Sequence, residues 1–469
     1  MKAFYPLLLI LLPPLLLFSA CISPQKTVPR LAVETVPSAE ASFASGASSN
    51  NAWQVQAWFK DYQDPQLFAL VQTVLDEHPK LDMARARIQR AFAGLNLTDS
   101  ATGVQLQGNV EPSYSRISES SFVPPVFRGR WFYNNRAALD LRLALDLSGV
   151  RKARSQAAAW QAQVAVAEGD LARLLLGAAL VEGYLAYDHA YQQQSLASRI
   201  LTNRQAAQTL VQERVKAGVD NEASLQQAKA LVASAKADQL AWQAQVVLAQ
   251  SRVGTLMGKG PDFGLTLKPP TLQEASLDLP ASIPLDLLSR RPDVQAAKLR
   301  IEAASSESEA ARREFYPDVD LGAFLGLQSI SLAEWVKPGN VTAGIAPALH
   351  LPIFNGGRLQ AQLDTREADY NVAVANYNDL LDEAIQQVLD PVLVLRSLPA
   401  RRQALDEAVA ASSESLRISE LRYQKGVGNY LQVLTTQTQQ LANQREREAL
   451  RHQALHQRLD LIKALGGGF

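Results

Sequence analysis

The chain holds a single cysteine, Cys21, in 469 residues, which excludes an intrachain disulfide framework and a multi-cysteine metal site. It lacks net charge as well. The 46 basic residues balance 46 acidic ones, so no overall field attracts nucleic acid. Past the first twenty residues no run of about 18 apolar residues occurs, and no transmembrane helix is predicted. A chain of this kind that crosses a membrane must do so as a closed barrel. Proline is absent between Pro125 and Pro261, a stretch rich in Ala, Gln, Leu, Arg and Glu that favours long helices.

The lone cysteine sits at an informative place. Met1-Lys2 gives a short positive start, Leu7 to Phe18 is apolar apart from Pro13-Pro14, and Ser19-Ala20 lead directly into Cys21. This is the anatomy of a secretory signal. LFSAC resembles a bacterial lipobox, although Phe18 stands where Leu is usual. It predicts a signal peptide over 1–20 and a Cys21 acylated with palmitate. Ile22, in place of the Asp that retains lipoproteins at the inner membrane, points to the outer membrane. Residues 21–57, rich in Ser, Ala and Pro, read as a tether from the lipid anchor.

Two stretches far apart say nearly the same thing: DEHPKLDMARARIQRA from Asp76 and SRRPDVQAAKLRIEAA from Ser289. Each opens a helix, and each helix is followed by strands. Val104, Leu106, Gly108 and Val110 alternate with polar residues up to Glu111, a period of two. Trp131, Tyr133, Ala137, Leu139, Leu141, Leu143 and Leu145 share one face of a long predicted strand, and Arg136, Asp140, Arg142 and Asp146 share the other. Lipid on the first face and water on the second suit a barrel wall, with Trp131 and Tyr133 as an aromatic girdle. From Gly149 a helix of about 70 residues follows, on the order of 100 Å if continuous. Leu171, Leu174, Ala178, Val181 and Leu185 form its coiled-coil seam. KAGVDN, from Lys216, turns the chain at Gly218 into a second helix from Glu222 to about Met257. The second half repeats the plan: strands from Tyr316 and from Val341 to Phe354, a long helix after Asn355-Gly356-Gly357-Arg358, and a turn at QKGVGN. Pro391 and Pro399 predict an interruption in that second long helix. The expected organisation is therefore a first repeat over 58–262, a linker over 263–282 and a second repeat over 283–469.

Two strands per half make four per chain, too few to close a barrel. An open sheet in lipid leaves edge groups unpaired at several kcal/mol each. A dimer would close eight strands around a nearly filled interior and a trimer twelve; the charges at Arg136, Asp140, Arg142 and Asp146 favour the wider trimer.

WFKDYQDPQLFALV from Trp58, EHPKLDMARARI from Glu77, IPLDLLSRRPDVQAAKLRIEAA from Ile283, FYPDVDL from Phe315 and PIFNGGRL from Pro352 resemble the TolC-like outer membrane efflux factors, in their NodT-type lipoprotein branch. The resemblance implies a mixed α and β fold: a homotrimeric twelve-stranded transmembrane β-barrel continued by a long α-helical coiled-coil barrel in the periplasm. It implies a passive export duct of a tripartite efflux system, docking on a periplasmic adaptor that joins an inner-membrane transporter. The adaptor-docking tips it implies are Arg214, Val215, Gly218 and Val219 in the first half, and Arg422, Tyr423, Gly426, Val427 and Leu431 in the second. The sequence departs from the family at Leu225-Gln226 and Thr435-Thr436-Gln437, where an acidic constriction would stand. Asp220 and Glu222 read as solvated charges at a helix end, and the gate stays unassigned.

Nothing in the chain calls for catalysis, a cofactor or a metal. His452 and His456 are spaced i, i+4 without a third ligand in view, and GTLMGKG from Gly254 reads as a helix end with a glycine stop rather than a phosphate loop. Two other readings stay open: a periplasmic coiled-coil scaffold lipoprotein with its strands in a soluble sheet, and a type I protein secretion duct.

Overall fold

The computed structural model describes residues 28–34, 59, 62–273 and 285–467. Cys21, the 1–20 signal, most of the 21–57 tether and much of the 263–282 linker lie outside the described residues. Asp64 caps α1 (Pro65–Glu77), its carboxylate accepting from the backbone N–H groups of Gln66 and Leu67, with proline at the first helical position. Helix α2 (Pro79–Ser100) likewise starts on a proline, and His78 Nδ1 just ahead of it accepts from the Lys80 N–H. Strand β1 (Gln105–Glu111) follows, then β2 (Tyr114–Arg116), β3 (Trp131–Tyr133) and β4 (Asn135–Ala144). Helices α3 (Val150–Lys216), α4 (Glu222–Leu256) and the single turn α5 (Pro261–Gly264) complete the first half. The second half runs through α6 (Pro292–Arg313), β5 (Asp318–Ser329), β6 (Val341–His350), α7 (Arg358–Gln424) and α8 (Tyr430–Ala464).

The structure departs from the sequence pattern at three places. Trp131 to Leu147 is not one strand. The chain leaves β3 at Tyr133 and starts β4 at Asn135, and β3 pairs only with β2 in a separate two-stranded ladder. Asn135, fully buried, marks the break. Second, β6 ends at His350, ahead of Pro352, which cannot donate to a ladder. Third, Pro391 and Pro399 do not interrupt α7, which runs through both. Each proline removes one helical hydrogen bond, but the flanking Val388, Val392, Leu395 and Leu398 are all buried and their packing holds the turns in place.

The chain divides into two compact units. One contains the sheet with 87–166, 296–377 and the N-terminal stretch to residue 33. Its sheet is antiparallel in the order β1-β4-β5-β6. The register places Gln107, Asp140 and Phe324 across from one another, as it does Gln105, Arg142 and Gly322. The opposite face carries Leu106, Leu141 and Ala323 in one cross-strand row, with Ile345 continuing it on β6. Helical packing in this unit centres on Ala311, Phe315, Leu359 and Leu363.

The other unit comprises 34–86, 167–295 and 378–469. Its main core joins Leu67, Val71 and Val74 of α1 to Leu180, Val181, Tyr184 and Leu185 of α3, with Val253 of α4 and Leu459 of α8. Leu174, Ala178, Val181 and Leu185 of the predicted seam are all buried. Asp64 also accepts from Tyr184 Oη at 2.9 Å and from the Thr271 N–H at 2.8 Å, so one carboxylate ties three segments to the core.

Candidate functional site

Two regions carry the chemistry. The first is the sheet, whose two faces differ in polarity. One face of β4, β5 and β6 carries Ala137, Leu139, Leu141, Leu143, then Val319, Leu321, Ala323, Leu325, Leu327, then Val341, Ala343, Ile345, Pro347, Leu349, and turns polar only at the Asn135–Ser329 pair at one end. That face is bare in the single chain, with Ile345 76% and Leu349 58% exposed. So large an exposed apolar surface needs a covering. The other face bears Gln105, Gln107 and Asn109 of β1 beside Arg136, Asp140 and Arg142 of β4. Arg136 reaches Asp140 at 2.6 Å, and Asn109 Nδ2 donates to the same carboxylate at 2.7 Å. Asp146 does not join them. It lies beyond β4 with φ 44°, and its two carboxylate oxygens accept from the backbone N–H groups of Arg151 and Lys152. It terminates the strand and seats the start of α3, a role that the alternating pattern hid because Asp146 falls in phase with the strand.

The second region is the pair of hairpin turns. Gly218 (φ 72°) and Gly426 (φ 79°) both take the left-handed conformation that closes a helix, a conformation strained for other residues. Val219 N–H then bonds back to Arg214 O at 2.9 Å, as Val427 N–H does to Arg422 O at 3.0 Å. Asn221 and Asn429 cap the returning helices α4 and α8. Around these turns the structure brings together what the sequence separates. Arg214 Nε lies 3.0 Å from Asp220 Oδ2, while its Nη1 donates to the backbone carbonyl of Tyr423 at 2.9 Å. The guanidinium stacks 4.4 Å from the Tyr423 ring centroid, and the Tyr423 hydroxyl donates to Asp220 Oδ2. Burial first, then the Asp220 carboxylate, push the Tyr423 hydroxyl up, so it remains a donor throughout the physiological range. Tyr423 and Tyr430 rest on a buried cluster with Val211, Leu225 and Val433.

Asp220 is therefore not the solvated helix-end charge its sequence position implied; its side chain is 16% exposed and doubly engaged. Glu222 is held by Gln226 Nε2 at 2.6 Å on an exposed surface. Val219, Val427 and Leu431 stay exposed at the turns, as does Arg422. Sequence reasoning could not pair Asp220 with Tyr423, since 203 positions separate them.

The histidine pair has a third neighbour. His189 of α3 lies 4.4 Å from His452 and His452 lies 4.5 Å from His456, ring centroid to centroid. The rings pack against one another, and among the described residues no group of three or more His, Cys, Asp or Glu is placed to hold a metal ion. Burial first, then His189, His456 and Arg451, push the His452 imidazole down to about 4. Among the described residues no helix is long and apolar enough to cross a membrane.

A sequence profile of the family described as "Outer membrane efflux protein" matches residues 70–259 and 283–467, one segment in each half. The multidrug resistance outer membrane protein MdtP of Escherichia coli is 28% identical over 429 residues, covering 90% of this chain and 88% of that protein. The outer membrane protein OprJ of Pseudomonas aeruginosa is 30% identical over 88% of this chain and 86% of its own length. Among solved structures, the outer membrane protein VceC of Vibrio cholerae superposes with a TM-score of 0.83 at 33% identity, covering 89% of this chain and all of that one.

Proposed function

The chain belongs to the outer membrane efflux protein family and is an outer membrane efflux channel, and from that premise we propose that three copies assemble a twelve-stranded barrel that is the passive exit duct of a tripartite pump. The observation that carries this is the four-stranded sheet: one face apolar over nearly its whole length and bare, the other bearing the charged and amide groups, and two outer edges, β1 and β6, with no further strand among the described residues. In lipid such edges require partners, and the pattern of identical copies pairing β6 to β1 supplies them. Arg136, Asp140 and Arg142 then line the lumen with Gln105, Gln107 and Asn109. Cys21 carries the acyl anchor, and the two halves, 58–262 and 283–469, derive from a duplication of one unit.

The hairpin turns form the periplasmic tip. Exposed Val219, Val427 and Leu431, with Arg422, meet the adaptor, while the Arg214–Asp220–Tyr423 latch holds the two hairpins of one chain together in a closed tip. An adaptor opens the tip by binding the released arrangement more strongly than the latched one. Energy enters at the inner-membrane transporter, so this chain has no catalytic step to perform. The similarity to MdtP, a multidrug resistance outer membrane protein, favours small molecules over proteins as cargo. The native mass of detergent-extracted protein from isolated outer membranes tests the assembly. A trimer is expected; a monomer leaves four strands unable to close, and the periplasmic scaffold reading replaces the channel.

A further inference from the structure

Residues 28–34 belong to no helix or strand, yet as a strap along α7 they make contacts more specific than a passive tether requires. Arg30 Nε donates to Glu367 Oε2 of α7 at 2.8 Å, and its guanidinium stacks 4.4 Å from the Tyr370 ring centroid. Glu367 is 1% exposed. Its Oε1 also accepts from Ser308 Oγ at 2.8 Å and Arg312 Nη2 at 2.9 Å, both on α6. Arg30 Nη2 closes the ring by donating to Ser308 Oγ at 3.0 Å. Burial pushes the Glu367 carboxyl up, but the Arg30 and Ser308 hydrogen bonds and the Arg30 and Arg312 charges outweigh it and hold the group ionised.

Backbone recognition accompanies the side chain. Asn371 Oδ1 accepts from Leu31 N–H at 2.8 Å while Asn371 Nδ2 donates to Pro29 O at 3.0 Å, so one amide reads both sides of the strap as a neighbouring strand would. Asn378 Oδ1 accepts from Glu34 N–H at 3.1 Å. The spacings agree. Positions 371 and 378 are about 10.5 Å apart along a helix rising 1.5 Å per residue, and positions 31 and 34 are about 10 Å apart in extended chain. Glu367, Asn371 and Asn378 fall within about 40° of one another around the axis of α7, since four residues advance 400° and eleven advance 1100°.

The first half supplies an internal control. Helices α3 and α7 are equal in length, and matching them end to end places Ala159, Gln163 and Asp170 of α3 where α7 has Glu367, Asn371 and Asn378. The α2 counterparts of Ser308 and Arg312, reading the Asp76 and Ser289 copies in step, are Leu95 and Asp99. The first half thus has no carboxylate at the place of Glu367, no asparagine at the places of Asn371 and Asn378, and no arginine at the place of Arg312, so this set of groups is particular to the second half.

We infer that the α6–α7 face around Glu367 is a receptor for this chain's own segment 28–34, read by the pairing of Arg30 with the buried Glu367 carboxylate and by backbone contacts to Asn371 and Asn378. Its consequence rests on the acylation of Cys21. Arg30 stands nine positions after Cys21, so a docked strap keeps the Arg30 backbone within about 30 Å of the acyl anchor.

Hydrogen exchange of the full-length protein in detergent, read by mass spectrometry, tests the docking. The Leu31 and Glu34 amides are expected to exchange slowly in the wild type. In Asn371→Leu and in Arg30→Met the strap is expected to exchange about tenfold faster or more, with protection of α7 itself unchanged. A wild-type strap exchanging at the rate of an unstructured peptide, or undiminished protection in Asn371→Leu, overturns the receptor. Cys21→Ser is expected to keep the strap protected; loss of protection there would mean that the anchor imposes the docking, and overturns it too. The mass of the N-terminal peptide reports acylation separately, so failure of the anchor reading is distinguishable from failure of the receptor.

Discussion

The two halves of this chain match in backbone and differ in polar chemistry. Helices α2 and α6 are each 22 residues long, α3 and α7 each 67, α4 and α8 each 35. Both hairpins turn at a left-handed glycine and cap the return with asparagine. Yet Arg214, Asp220 and Val215 of the first turn correspond to Arg422, Gly428 and Tyr423 of the second. Neither turn can build the latch alone, because the carboxylate exists only in the first and the phenol only in the second. The backbone plan shared by the two halves makes a frame, and differences at single positions place complementary groups across it.

The largest effect is expected where the halves should still be equivalent. Leu139→Arg in β4 and Ile345→Arg in β6 each put a cation on the apolar face, at about 2–4 kcal/mol near a bilayer midplane. Each should abolish trimers recovered from outer membranes, whereas Gln107→Arg on the polar face should leave them intact. Should Leu139→Arg trimers survive while those of Ile345→Arg do not, the apolar faces of the two halves do not share one environment.

The latch should break asymmetrically. Asp220→Asn removes the charge that Arg214 and Tyr423 both use, a loss of about 1.5–3 kcal/mol from the closed tip, or about 10- to 150-fold in the closed-to-open ratio. Single-channel conductance in planar bilayers should show more frequent and longer openings. Gly428→Asp, which gives the second turn the acid it lacks, should not restore closure, because its counterpart position for the phenol is Val215. Recovery of closure by that second change would show that the latch depends on net charge rather than on the Asp220–Tyr423 contact.

Much of this frame was legible in the sequence because it rests on local patterns. The alternation of β4 and β5, the helix starts at Asp64-Pro65 and His78-Pro79, and the glycine turns all follow from residues within a few positions of one another. What stayed hidden depends on distance or on a rule overridden by packing. Asp220 meets Tyr423 across 203 positions and Arg30 meets Glu367 across 337. Asp146 kept the phase of the strand while serving the next helix. Pro391 and Pro399 obeyed local chemistry in losing their hydrogen bonds, but their buried neighbours prevailed. Trp131 and Tyr133 kept the phase of β4 but stack on Tyr114 in a separate ladder, with centroids at 5.2 and 4.7 Å.

The histidine cluster is another feature without a twin: Ser397, Ala244 and Leu248 hold the positions matching His189, His452 and His456. The groups facing it are Asp188, which binds Arg451 at 2.7 Å, and Glu448, with Trp242 edge-on to His189. His452 is depressed to about 4 in the fold against about 6.5 when unfolded. The unfolded chain thus binds the proton first, so stability falls as pH drops below about 6.5 and levels off below about 4. The partly exposed site discounts this to the order of 2 kcal/mol. His452→Gln should flatten the decline of thermal midpoint between pH 6.5 and 4; an unchanged slope would assign the acid sensitivity to other groups.

The smallest effect is the sharpest test of equality. Asn221 accepts from the Ser224 N–H at 2.9 Å, and Asn429 accepts from the Gln432 N–H at 2.9 Å. Their φ values, −101° and −105°, are nearly the same. Each cap satisfies one otherwise unpartnered helix N–H, so Asn221→Ala and Asn429→Ala should each lower stability by about 1 kcal/mol. Chemical denaturation of the detergent-solubilised protein measures both. Equal losses mean that the two turns are energetically one backbone, and that the asymmetry of the tip resides in Asp220 and Tyr423. A loss at Asn221 well above that at Asn429 would mean instead that the first cap also supports the latch, because only its turn carries the bound carboxylate one residue before the cap.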